Sequence, residues 1–414
     1  MIKFPSIFCS IVILQLFVFG IIRFFFMIPT EPIRWLIDGS LCMLLMLVLL
    51  SLKLKLDKVF ILYIFLFLVN FFSFLINRNE LVPLIRQVRF TFMGGTIYLL
   101  LMHVKLSKKY FEKLINILFY IGYVQLPLVI IQLLSYEYFA AKGIEGFPHY
   151  VDCASGSIGY SETGVLGMFL VILGIVKLQY GMQYGFNLKT IFQLVILLAP
   201  LGLINSDAQF IFVPIIFLFM LLINKKIKKN TIKSIIILII IFISVNQIVM
   251  YNWKDQRTIW GYVKGTFQAF IKPTYARPGR LLRKESMLYV WEQDTTNPTF
   301  SSIIGKGPGY WLERDSEGKE KSITNVWYHC NTILLTYGEL GLIGLFVILM
   351  IPLAFFIETD NSFWGKVVKL QAIYLFLGLF YGFPLGSMSV VIPLMIFLVY
   401  FRKFNYKIKT YRIV

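Results

Sequence analysis

The chain has 414 residues, 58% hydrophobic and 17% aromatic with only 15% charged, too little polar surface for a water-soluble globule of this length. Its apolar runs are continuous rather than alternating, which excludes an outer-membrane barrel, and open sheets cannot cross lipid with their backbone groups unpaired. The net charge of +19 reads mostly as membrane topology and not as a nucleic-acid surface.

A hydrocarbon core of about 30 Å needs roughly 20 apolar residues per helical span. Such runs predict spans near 7–28, 33–52, 58–76, 90–104, 113–134, 162–178, 189–205, 208–223, 232–250, 331–357, 366–383 and 389–401. The expected fold is an all-α polytopic membrane protein of about twelve transmembrane helices. A bundle of about nine spans over 1–250 precedes one large external loop over 251–328. A second bundle of about three spans and a cytoplasmic tail fill 329–414. The first apolar run is too long for a signal-peptide core and lacks a small-residue cleavage site, so it reads as a retained span. The runs at 90–104 and 389–401 are short enough for either to be partly re-entrant. Cys9 and Cys42 lie in predicted spans, while Cys153 and Cys330 face the same side and are either bonded or two free thiols.

Basic clusters at Lys53/Lys55/Lys58, Lys105/Lys108/Lys109/Lys113, Lys177/Lys189, Lys225 to Lys233, Lys366/Lys369 and the tail from Arg402 to Arg412 fall in alternate loops. The positive-inside rule makes these loops cytoplasmic, puts both termini inside and leaves 251–328 outside. With Lys3, the inside set holds 20 Lys and 2 Arg, and the outside set 8 Lys and 10 Arg. Arginine offers a planar fork that binds phosphate bidentately, so the outer face reads as built for a phosphorylated anion. The alternative is that these arginines anchor helix ends or pair with the loop acids Asp255, Glu285, Glu292, Asp294, Glu313, Asp315, Glu317 and Glu320. Arg86 and Arg89 sit three apart at the start of a span and share a helix face near the interface. Arg277, Arg280 and Arg283 recur every third residue, and Pro278 and Gly279 resemble a helix entry. Leu281, Leu282, Met287, Leu288, Val290 and Trp291 then give a short amphipathic helix at the membrane surface.

Two blocks follow, GRLLRKESMLYVWEQDTTNPTFSSIIGKGPGYW at 279–311 and HCNTILLTYGELGLIGLF at 329–346. Gly279-Arg280, Trp291, Pro298, the turn Gly305-Lys306-Gly307-Pro308-Gly309, His329, Asn331, Glu339 and Gly341-Leu342-Ile343-Gly344 occur in that order. In this the chain resembles the O-antigen ligase and O-antigen polymerase superfamily of bacterial envelope glycan assembly. It departs from that pattern in three places. One residue separates His329 from Asn331, Asn205-Ser206-Asp207-Ala208 stands where many members carry Ser-Arg, and a single long loop replaces the polymerase's two.

The resemblance implies an inverting, metal-independent glycosyl transfer on the outer face of the bacterial inner membrane. The donor would be an oligosaccharide on undecaprenyl pyrophosphate, with no cofactor, and the acceptor a glycan hydroxyl. His329 would be the base and Arg280 would stabilise the departing pyrophosphate, with Arg277, Arg283, Arg86, Arg89 and Asn331 binding substrate. Of three histidines, His103 falls near the cytoplasmic end of a span and His149 in the other outer loop. Glu339 lies ten residues past His329, about three turns deeper by helical pitch, and reads as an anchor, supported by Trp291, Gly307 and Gly309. Gly341 and Gly344 allow close helix packing. The glycine turn lacks the strand and helix context of a nucleotide fingerprint, as a lipid-linked donor would require. Membrane lipids, and other glycan-assembly proteins such as a flippase or chain-length regulator, are the expected partners, with no nucleic acid. The missing Ser-Arg turn favours a polymerase over a ligase. A transporter would carry repeated halves and midplane charges, and neither stands out here.

Overall fold

The computed structural model describes residues 4–26, 31–50, 55–78, 81–135, 154–158, 163–204, 207–224, 300–308, 331–382, 384–405 and 411–412. These are almost entirely helical. The first helix is α1 (Phe4–Ile13), a π turn (Leu14–Val18) and α2 (Phe19–Phe26) in direct succession. Then come α3 (Glu31–Leu50), α4 (Lys58–Asn77), α5 (Leu81–His103), α6 (Lys108–Leu134), α7 (Thr163–Tyr184), α8 (Leu188–Leu203) and α9 (Asp207–Ile223). After α10 (Phe300–Ile304) follow α11 (Thr332–Ile357), α12 (Phe363–Tyr381) and α13 (Met388–Phe404). Two-residue strands β1 (Lys55–Leu56) and β2 (Tyr411–Arg412) pair antiparallel.

Each predicted span except 232–250, which lies outside the described residues, overlaps one of these helices. Among the described residues six are long and apolar enough to cross a membrane: the Pro5–Phe26 run, α4, α6, α7, α11 and α12. Shorter apolar stretches occur in α3, α5, α8 and α9. Large apolar side chains such as Trp35, Phe65, Phe72, Leu134, Phe192, Leu222 and Phe346 lie on the surface, an arrangement that water would penalise and lipid satisfies. The chain is a multi-pass helical membrane protein.

Helix starts are set by side-chain caps. Asp57, Ser107, Asn187, Asn331 and Ser362 each precede a helix in extended backbone and accept a hydrogen bond from an amide of its first turn. The core centres on α13, whose residues from Met388 to Arg402 are all buried among α5, α6, α7 and α12. Both α5 and α13 are continuous helices, and α5 begins at Leu81, well before the predicted start near 90. Pro83 is tolerated in the first turn, and Arg86 and Arg89 lower the hydropathy without breaking a helix.

The first helix carries an insertion that hydropathy did not predict. Residues 154–158, between α6 and α7, are fully buried against it. Ser157 Oγ donates to the Leu16 carbonyl at 2.6 Å, and the Gly20 amide, which would bond Leu16 in a regular helix, donates instead to the Ser157 carbonyl at 3.2 Å. The ladder opens to admit one serine, and the π turn at Leu14–Val18 is the result. Gln125 and Gln132 of α6 hold the same segment, with the Ser157 amide donating to Gln125 Oε1 at 2.8 Å and the Gly156 amide to Gln132 Oε1 at 2.7 Å. Irregular backbone is thus paired on protein side chains, the condition for its presence at membrane depth.

One end of the bundle is closed by a charged knot. Arg402 near the end of α13 has no exposed side-chain surface and bonds Asp57 Oδ2 at 2.8 Å, together with the Tyr98 hydroxyl and the Glu358 carboxylate. Asp57 also caps α4, accepting from the Phe60 amide at 2.9 Å. The sequence reading grouped Arg402 with the tail charges that set orientation. In the structure it turns inward, because two carboxylates await it there.

Candidate functional site

The opposite end of the bundle gathers the described part of the two sequence blocks. Asn331 caps α11 by accepting from the Leu334 amide at 2.8 Å, and its Nδ2 donates to the Phe380 carbonyl at 2.7 Å. Thr332 bonds the Gly382 carbonyl through both its amide, at 2.9 Å, and its hydroxyl, at 2.6 Å. The start of α11 is therefore stapled to the end of α12.

Nine residues on, α11 breaks. Gly341 has φ 65° and ψ −165°, a conformation essentially restricted to glycine. The turn 305–308 docks into this break, with the Lys306 amide donating to the Gly338 carbonyl and the Gly307 amide to the Glu339 carbonyl, each at 3.0 Å. Backbone meets backbone: a Cβ on Gly305 would stand 2.1 Å from the Glu339 oxygen, and one on Gly341 would stand 2.3 Å from the Ile303 oxygen. From α4, Ser73 Oγ donates to the Glu339 carbonyl at 2.9 Å and Asn77 Nδ2 to the Gly305 carbonyl at 3.2 Å. Gly341, expected to serve helix packing, and Gly305 of the glycine turn thus form one docking joint.

At 1.5 Å per residue, Ser73 is about 24 Å from Asp57 along α4 and Gly341 about 26 Å from Glu358 along α11. Thr332 touches Gly382 and Glu339 touches Ser73, so the first leg of α11 crosses the end of the bundle obliquely before the chain turns down at Gly341. The Glu339 side chain is buried.

Directly beneath, α4 and α5 share a polar seam. Asn70, one turn below Ser73, donates to the Leu66 carbonyl at 2.8 Å and to Thr91 Oγ1 at 3.4 Å, and Thr91 donates to the Gln87 carbonyl at 2.8 Å. Tyr63 forms the floor, its ring against Gly94 and Gly95 and the Phe92 ring edge-on to it at 6.2 Å. Asn70 Oδ1, Gln87 Nε2 and the Tyr63 hydroxyl are buried with no hydrogen-bonding partner among the described residues. A buried polar group left unpaired costs about 1–3 kcal/mol. On the far side of α5, Arg89 Nε stands 2.5 Å from Asp38 Oδ2 in a half-exposed ion pair, and Arg86 lies one turn nearer the helix start.

Of the expected site residues, the structure brings Gly307 and Glu339 into contact, engages Asn331 in the α11 cap and pairs Arg89 with Asp38. His329, Arg277, Arg280, Arg283, Trp291 and Gly309 lie outside the described residues, as do Cys153, Cys330 and Asn205-Ser206. Ser73, Asn77, Asn70 and Gln87 were missed by the sequence reading. Ser73 and Asn77 share a four-residue spacing with each other and Asn70 lies on the same stripe, a polar line on an otherwise apolar span that could have marked them. No family model matches the sequence, and no curated protein matches it.

Proposed function

We propose that the chain is a surface-polysaccharide polymerase of the O-antigen type in the inner membrane of a bacterium. Its donor is a glycan on undecaprenyl pyrophosphate, and its acceptor is the terminal sugar of a lipid-linked repeat unit. Twelve spans with both termini cytoplasmic put the 251–328 loop on the outer face. That threading is supported by the grouping of helix ends, since Asp57, Tyr98, Glu358 and Arg402 meet at one end and Asn77, Gly305 and Glu339 at the other.

The observation that carries the reading is the joint at Gly341. The two blocks that resemble the superfamily are separated in sequence by some twenty residues, and their glycine turn and Gly-Glu-Leu-Gly element hold each other by backbone bonds. So read, the joint anchors the described end of the loop to the helix that follows the His329 segment in sequence. In this reading Arg280, with Arg277 and Arg283, neutralises the leaving pyrophosphate, and His329 takes the proton of the attacking hydroxyl. Arg86, Arg89 and Asn331 border the same end of the bundle.

The test is deletion of the gene in its host and electrophoresis of the envelope glycan, with complementation by wild type, Arg280→Ala and His329→Ala at matched membrane levels. A polymerase leaves single repeat units capping the lipid A core after deletion. Bare core with long lipid-linked chains would assign a ligase instead, and an unchanged glycan would refute both. Full activity of both point variants would sink the proposed chemistry.

A further inference from the structure

The seam between α4 and α5 has a use that neither the joint above it nor the arginines beside it provides. Its three unpartnered groups, Asn70 Oδ1, Gln87 Nε2 and the Tyr63 hydroxyl, include an acceptor, a donor and a group that is both, and all three belong to side chains at least nine-tenths buried. They occupy one strip, with Gln87 one turn above Thr91 on α5, Thr91 bonded to Asn70, and the Tyr63 hydroxyl over Gly94 a further turn below. Each of these three side chains is neutral, which disfavours a phosphate or a metal ion and suits a ligand that both donates and accepts. The strip is closed underneath by the Tyr63 ring on Gly94 and Gly95 and by the Met395 methyl group, and farther down by the Tyr98–Asp57–Arg402 knot.

We propose that this strip is a hydroxyl-binding recess, filled by water or by a saccharide hydroxyl. A hydroxyl is the smallest group that meets both Asn70 Oδ1 as donor and Gln87 Nε2 as acceptor. The recess does not rest on the polymerase reading; only the saccharide occupant does.

The experiment is X-ray hydroxyl-radical footprinting of the full chain in lipid nanodiscs, since radicals formed from trapped water oxidise the side chain beside it even when bulk solvent cannot reach. Tyr63 should oxidise several-fold faster than Tyr98 and Tyr374, which are as deeply buried but have their hydroxyls bonded to Asp57 and Gln209. The pair Asn70→Leu with Gln87→Met should bring Tyr63 down to their rate, and Gln87→Met alone should lower it partly should the pair fail to fold. Equal oxidation of Tyr63, Tyr98 and Tyr374 in the wild type would overturn the proposal. Lipid-linked oligosaccharide extracted from the deletion host then identifies the occupant: protection of Tyr63 assigns a saccharide, and unchanged oxidation assigns water. Neither readout needs glycan transfer, so loss of the polymerase reading and loss of the recess are separate results.

Discussion

Substituting Gly341 by alanine tests the joint most directly. The native backbone there has φ 65° and ψ −165°, and an added Cβ would meet the Ile303 carbonyl oxygen at 2.3 Å. Holding a residue other than glycine in that region costs about 1–3 kcal/mol. If α11 escapes the strain by straightening, it gives up the two turn-to-helix bonds at Gly338 and Glu339, worth about 1 kcal/mol each. Those bonds are given up on undocking in either chain, so the strain alone shifts the balance toward the undocked turn, by about 1–3 kcal/mol or roughly five- to 150-fold at 1.36 kcal/mol per decade. Lys306 lies inside the docked turn and becomes a trypsin site when the turn opens. Proteolysis that is slow relative to reclosing reports the open population. Cleavage after Lys306 in detergent-purified protein, followed by mass spectrometry, should therefore rise by roughly five- to 150-fold in the variant. Gly164→Ala is the control, because nothing lies within 4 Å of its Cβ. Wild-type cleavage kinetics in Gly341→Ala would refute the argument that backbone contact holds the two blocks together.

Gly156→Ala places a Cβ 2.1 Å from Gln125 Oε1 at φ 59°, and thermal unfolding in detergent should show a lowered Tm, as should Gln125→Leu, which removes the bonds to Ser157. Arg402→Met leaves the Asp57 and Glu358 carboxylates buried without their cation, a loss of about 3–5 kcal/mol, and Arg402→Lys should not restore it because one ammonium cannot fork to both. Burial lifts the Glu358 carboxyl above its ordinary range, and Arg402 opposes that lift. A raised folded-state value means that protonation favours the folded chain, so this group's contribution rises as pH falls from neutral through the raised value and levels off at the unfolded one. Glu358→Gln should flatten that part of the stability profile measured by chemical denaturation across pH.

The spans were legible because each apolar run long enough to cross lipid has little alternative to a helix. The start of α5 was not, since Arg86 and Arg89 interrupt hydropathy where the backbone continues unbroken. The 154–158 insertion, Ala-Ser-Gly-Ser-Ile, is too short to register in hydropathy, and its signal lay elsewhere, in Gln125 and Gln132 seven apart on one face of α6. Asp57 was visible as an acid among lysines just before an apolar run, but its partner is 345 residues away, a pairing no local pattern encodes. The Gly341 break was hidden because a glycine that admits a neighbouring helix and one that reverses the backbone look alike in sequence. The order of the glycine turn and Gly-Glu-Leu-Gly was readable, while their contact required coordinates.

The distance in sequence between Asp57 and Arg402 also sets an order of events at the ribosome. Asp57 enters the membrane just ahead of α4, Glu358 arrives much later, and the guanidinium that neutralises both comes with α13. Until then each nascent chain carries carboxylates at positions meant to be buried, where an unpaired charge is costly. Closure of this end of the bundle thus waits for α13. A chain stopped before α13 retains both carboxylates without the cation that neutralises them.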